Sequence, residues 1–185
     1  MTELRPRPKL LGDRVGRSPR VLFVGINPGV RSAAIGHHFA GYSNRFWKLL
    51  FESGLVPEPL ASEDDHRLVE FGYGITNLIA RSTPGIDTLK PAEYTEGEAI
   101  LRRKVRRWRP KIVAFVGVTV FRSVFHTAPK TPVALGLQHE RFENALVFVL
   151  PNPSGRNANF SYAEMLAAFR GLRRHVEAAA DHLDQ

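Results

Sequence analysis

Four short stretches of the chain combine residue types that could act on a planar, polar ligand. Gly25-Ile26-Asn27-Pro28-Gly29 sets an amide side chain in a turn stiffened by proline and opened by two glycines. Such a turn can bring backbone N–H groups close to a bound molecule, and it serves equally well as a plain strand-to-loop turn. It is not a dinucleotide fingerprint, because the second and third glycines are missing, and no Gly-Lys-Ser/Thr phosphate loop occurs. Gly36-His37-His38-Phe39 leads into Asn44-Arg45-Phe46-Trp47-Lys48, an unusually aromatic approach to a helix. Phe39 could stack on a base or plug the core. The adjacent histidines are expected to point in different directions, with no cysteine or acidic cluster beside them, so no metal site is expected.

Pro151-Asn152-Pro153-Ser154-Gly155-Arg156-Asn157 is a proline-stiffened loop with a long cation at its tip. That shape suits insertion into a groove or base stack, and an ordinary surface loop would share it. Arg81-Ser82-Thr83-Pro84-Gly85-Ile86-Asp87 holds the only carboxylate between Glu70 and Glu93. An amide such as Asn27 cannot take a proton at neutral pH, so Asp87 is expected as an auxiliary catalytic residue. The competing reading is an aspartate serving a turn. Glu93 falls in the first turn of a helix opened by Pro91, where a negative side chain has a structural use.

These stretches need a frame. Val21–Ile26, Tyr73–Ile79, Ile112–Val118 and Leu146–Leu150 are continuous apolar runs, the pattern of strands buried on both faces. Asn44–Ser53, Pro91–Arg107 and Tyr162–Ala178 carry apolar stripes at helical spacing. The alternation predicts a three-layer α/β/α domain on a mainly parallel sheet of about four strands, with an irregular segment before the last strand. Residues 1–20, rich in arginine and proline, read as a loosely held basic arm, and 21–180 as one domain. Ligands in such folds sit beyond the carboxyl ends of the strands. The segments of interest are therefore 25–44, 77–90, 117–121 and 151–160.

Composition narrows the chemistry. The 185 residues include 26 Lys+Arg against 18 Asp+Glu, a net charge of +8 that favours a polyanionic partner, most simply nucleic acid. There are no cysteines, which removes disulfides, thiolate nucleophiles, Cys-ligated zinc and iron–sulfur clusters. No apolar run approaches the roughly 20 residues of a membrane helix and there is no signal-peptide pattern, so a cytoplasmic, nucleoid-associated protein without membrane attachment is expected.

In order and register, Gly25-Ile26-Asn27-Pro28-Gly29, Gly36-His37-His38-Phe39, Asn44–Lys48, Gly74-Ile75-Thr76-Asn77 and Asn152-Pro153-Ser154-Gly155 resemble the mismatch-specific uracil/thymine branch of the uracil-DNA glycosylase superfamily. The resemblance spans about residues 20–169. It implies a bacterial repair glycosylase that hydrolyses the N-glycosidic bond of uracil in double-stranded DNA at G·U or G·T mismatches, as a monomer, with no metal or cofactor. A flipped nucleotide is implied, and a wobble pair lowers the cost of extruding it. Asn27 would orient the attacking water. Ile26, Gly29, Ser32, His38 and Phe39 would surround the base, Phe39 stacking on it and backbone N–H groups near Gly29 and Phe39 serving its developing charge. Ser154, Gly155, Arg156 and Asn157 would probe the duplex. Where Ser32 stands, relatives with alanine admit the thymine methyl and serine crowds it, so uracil is the expected substrate. Lysine chemistry for a lyase step is not indicated. The rival readings are a non-catalytic nucleic-acid-binding protein on the same scaffold and a hydrolase of free nucleosides.

Overall fold

A computed structural model describes residues 10–181. Its centre is a five-stranded sheet in the order β2-β1-β3-β5-β4. Strands β1 (Val21–Gly25), β2 (Tyr73–Asn77), β3 (Ile112–Val116) and β5 (Ala145–Leu150) run parallel, and β4 (Gly136–Phe142) is antiparallel at the edge beside β5. Alternate residues of the parallel strands bury on opposite faces, which is why their sequences read as unbroken apolar runs. The short α1 (Val30–Ile35) follows β1, and Phe23, Ile75, Ala114 and Phe148 pack against α2 (Phe46–Glu52) and α5 (Tyr162–Asp181). Val24, Phe115 and Val147 pack against α3 (Pro91–Trp108) and α4 (Val118–Phe125). The three-layer α/β/α architecture is the one anticipated.

The fifth strand was not. Only Phe142 of β4 is buried, and Gln138, His139, Glu140 and Arg141 give it no apolar run. A charged edge strand resists pairing with other chains, and the same charges hide it from hydrophobic periodicity. The β4–β5 turn puts Glu143 and Asn144 both at positive φ, the geometry that matches strand twist in a two-residue hairpin. The third expected strand stops at Val116 because Gly117, at φ 122, turns the chain directly into α4.

Residues 10–20 are also not a loose arm. Leu11 is buried, and Arg14 exchanges backbone hydrogen bonds with Ile75, covering the outer edge of β2. Asp13 pairs with Lys104 at 2.8 Å, and Arg20 donates to the Phe71 carbonyl. Residues 1–9, the rest of that expected arm, lie outside the described residues. Among the described residues no helix is long and apolar enough to cross a membrane.

From β1 the chain moves to β2 on one side, then crosses to β3 on the other. The strand order therefore reverses between β1 and β3, which opens a crevice beyond their carboxyl ends.

Candidate active site

That crevice holds a cleft of about 630 Å³. All four segments singled out in the sequence contribute to its wall. Gly25–Ser32 come from the end of β1 onward, Asn77, Pro84 and Ile86 from the end of β2 onward, Gly117, Thr119 and Val120 follow β3, and Asn152, Ser154 and Arg156 follow β5. Gly25 leaves room for a close approach, since a Cβ there would meet Asn77 Oδ1 at 2.6 Å.

Asn27 has both amide hydrogens committed. Nδ2 donates to the Arg81 carbonyl at 2.9 Å and to Thr83 Oγ1 at 2.8 Å, and Thr83 Oγ1 in turn donates to the Gly85 carbonyl at 2.7 Å. A backbone carbonyl only accepts, so it selects the nitrogen end of the amide and leaves Oδ1 without a partner among the described residues. Arg81 is itself clamped: Nε and a terminal nitrogen reach the two oxygens of Glu93 at 2.7 and 2.9 Å. The Arg81 guanidinium and the Lys90 backbone N–H hold the Glu93 carboxyl down at about 2. Glu93 also caps α3 through that N–H, the structural use its position suggests.

Asp87 stands apart from this. Pro84 and Ile86 line the cleft, but Asp87 lies exposed on the turn Ile86–Thr88 with its carboxylate folded back over Gly85. No carboxylate and no lysine lines the cleft among the described residues. The loop after β2 therefore meets Asn27 through a threonine hydroxyl and a backbone carbonyl. The sequence reading found the loop and chose its charged residue; a hydroxyl two residues before Gly85 gave no comparable signal.

The aromatic loop closes the other wall. Ser32 is buried, and its Oγ accepts the Ala40 N–H at 3.0 Å while its carbonyl accepts from Gly36 and His37. Phe39, at φ 50, stacks on Phe46 with centroids 4.1 Å apart and still lines the cleft, so one ring joins core and site. Positive φ in a phenylalanine is a strained backbone, held here by the contacts around it. The N–H groups of Gly29 and Phe39 donate to no backbone carbonyl among the described residues. The two adjacent histidines do not diverge as expected: Nδ1 of His37 and Nδ1 of His38 converge on the two oxygens of Asp65 at 3.1 and 2.9 Å. Asp65 is distant in sequence, so spacing could not reveal it. No grouping of side chains suited to a metal occurs among the described residues.

The last loop is bonded mainly to itself. Asn152 Oδ1 accepts from Ser154, Asn157 Nδ2 donates to the Asn152 carbonyl, and Asn157 N donates to the Ser154 carbonyl. Its link to the body runs through Arg45, which reaches the Pro153 and Ser154 carbonyls. Gly155 lies so close to Ser43 that a Cβ would sit 2.4 Å from the serine Cβ. Arg156 is exposed at the cleft rim, while Gly155 and Asn157 shape the loop without lining the cleft. Across the mouth Arg31 lies 3.9 Å over the Tyr42 ring, a pair that sequence reading passed over.

The uracil DNA glycosylase superfamily model matches residues 13–173. A G/U mismatch-specific uracil DNA glycosylase of Schizosaccharomyces pombe is 38% identical over 156 residues, covering 80% of this chain. The chain spans about half (48%) of that relative's length. A solution NMR structure from Methanosarcina acetivorans, whose name places it with uracil DNA glycosylases, shares the fold at a TM-score of 0.61 and 14% identity. That likeness covers 92% of this chain and 98% of the other. This chain belongs to the uracil DNA glycosylase superfamily.

Proposed function

We propose that the protein is a DNA repair enzyme that hydrolyses the N-glycosidic bond of uracil in double-stranded DNA, preferring uracil opposite guanine. The observation that carries this reading is the Asn27 amide, held by both hydrogens with its oxygen free, in a cleft that no carboxylate lines among the described residues. Family membership and the activity named for the fission-yeast relative support it.

A bond inside a duplex must be brought out, and a cleft of about 630 Å³ beside an exposed Arg156 suits a nucleotide turned out of the stack. The base enters beside Phe39, whose other face is fixed on Phe46. Asn27 Oδ1 accepts a hydrogen bond from a water and aims its oxygen at C1′ of the sugar. As the N1–C1′ bond breaks, its electron pair leaves with the base and the sugar becomes cationic. The N–H groups of Gly29 and Phe39 serve the negative charge that spreads to the base carbonyls. The water oxygen bonds to C1′, its proton passes to solvent, and the departing base anion takes up a proton. The amide orients the water without deprotonating it, so its contribution is positional. With no lysine lining the cleft among the described residues, the reaction ends at an abasic site and the strand stays intact.

Incubation with G·U, A·U and single-stranded uracil DNA, scoring abasic sites, tests the reading. Release from the G·U duplex above the other two is expected. Binding of all three without base release would leave only a nucleic-acid-binding protein, and equal action on free nucleosides would make the duplex irrelevant.

A further inference from the structure

Asp65 sits on the 3-10 helical stretch Ser62–Phe71, wholly buried behind the aromatic loop. Four donors converge on it. Oδ2 takes the backbone N–H of His38 at 3.0 Å and His38 Nδ1 at 2.9 Å, and Oδ1 takes Arg14 Nε and His37 Nδ1, both at 3.1 Å. Burial alone would raise its proton affinity, but the bonds from His38, His37 and Arg14 outweigh it and hold the carboxyl well below the usual range. Asp65 is thus an anion that can only accept.

That fixes the proton on the imidazole. A nitrogen 2.9 Å from an acceptor-only oxygen must carry hydrogen, so Nδ1 is the protonated atom, and in the neutral ring Nε2 keeps a lone pair. The His38 backbone is pinned as well, its N–H donating to Asp65 and its carbonyl accepting Trp47 Nε1 at 3.1 Å. His38 is 2% exposed, its Nε2 is buried without a partner among the described residues, and the residue lines the cleft. A buried acceptor lacking a donor is costly, and a ligand N–H would satisfy it.

We propose that Asp65 is a positioning residue that locks His38 in its Nδ1–H form, so that the Nε2 lone pair accepts an N–H of the flipped base. This deepens the uracil reading above and rests on it. Uracil attached through N1 has a single N–H, at N3. Cytosine has a lone pair at N3, which would face the lone pair of His38. Asp65, without touching the base, thereby sets a preference for the imide edge of uracil over the normal base from which uracil arises.

Nitrogen-15 NMR of the histidine rings in the intact protein at neutral pH is the test. His38 Nδ1 should appear as N–H and Nε2 as unprotonated. Nε2 should then shift as a hydrogen-bond acceptor when a G·U duplex carrying 2′-fluorinated deoxyuridine is added, since fluorine disfavours the cationic sugar and keeps the base attached. In Asp65→Asn, one amide oxygen must replace two carboxylate oxygens for four donors. The tautomer signature should be lost and single-turnover uracil release should fall about tenfold or more while duplex affinity holds. Nε2 found protonated in the free protein, or unmoved by saturating duplex, would overturn the proposal even if Asp65→Asn fails to fold. Both signals are read without turnover. Failure of the wild-type protein to release uracil from G·U is therefore a separate result, and it would sink the activity itself.

Discussion

The loop after β1 and the loop after β5 face each other across the cleft and are built on opposite plans. The first is anchored through three of its polar side chains and leaves Asn27 Oδ1 and the N–H groups of Gly29 and Phe39 unbonded among the described residues. Asn27 is bonded to the loop after β2, Ser32 to Ala40, and His38 to Asp65. The second, Asn152–Asn157, satisfies itself with short-range side-chain bonds and is fixed to the body mainly by Arg45. Orienting a water needs a side chain fixed to a fraction of an ångström, whereas following a duplex needs a stiff projection with a long, adaptable tip. On the proposed function, the cleft separates a wired wall for chemistry from a self-supporting finger for DNA.

The contrast breaks most sharply at Asn27. Asn27→Ala removes the side-chain carbonyl that the wiring leaves free, and single-turnover uracil release should fall ~10²–10³-fold. Duplex affinity, measured on the same variant, should change little, because the finger is untouched. Turnover near wild type would take Asn27 out of the mechanism and with it the meaning of the wiring.

Thr83→Val asks whether the wiring itself matters. Valine keeps the buried shape but removes the hydroxyl between Asn27 and the Gly85 carbonyl, leaving the Arg81 carbonyl as the one anchor. A loss of ~10-fold in the single-turnover rate is expected, with KM unmoved, as for a misaimed rather than a missing group. No change would mean that one anchor suffices.

How much of this was legible in the chain depends on the range of each interaction. The parallel strands showed as apolar runs, because burial on both faces leaves the pattern in adjacent residues. β4 did not, since a solvated edge strand carries no such pattern. Motif residues near β1 and β5 could be placed at the cleft, because the fold class puts those strand ends there. Their partners could not: Thr83 lies 56 residues from Asn27, and Asp65 lies 27 from His38. The docking of residues 10–20 on β2 was hidden for the same reason, a backbone pairing between segments far apart in the chain.

On the finger side, Arg156→Ala should act on binding more than on chemistry. An arginine that fills the gap left by an extruded nucleotide holds the abasic product, so its loss should weaken product affinity several-fold and raise multiple-turnover rates. The single-turnover rate should fall less than about threefold. Salt dependence sharpens the assignment. A phosphate contact contributes about −0.9 to the log–log slope, so an unchanged slope in the variant places Arg156 in the base stack, and a slope shallower by about that amount places it on the backbone.

The smallest effect belongs to Asp87, whose expected catalytic part came from its being the one carboxylate of its loop. The geometry turns that reasoning around. A carboxylate that shares the water with Asn27 must reach the cleft, and Asp87 is exposed, absent from the lining, and folded over Gly85 on its own turn. The same loop already contributes twice to the site without any charge, through the Arg81 carbonyl and the Thr83 hydroxyl. A negative charge pointed inward would stabilise the cationic sugar, but it would also repel the anionic base as it leaves. On the proposed mechanism, holding the water by a neutral amide avoids that conflict. Asp87→Asn keeps the turn while removing the charge, and single-turnover uracil release should stay within about twofold of wild type. A tenfold loss, or an Asp87→Asn/Asn27→Ala double variant far below the product of the two single effects, would show that the two residues share the water after all. The turn would then have to close inward when DNA binds, and the finger would no longer be the only side of the cleft that adapts.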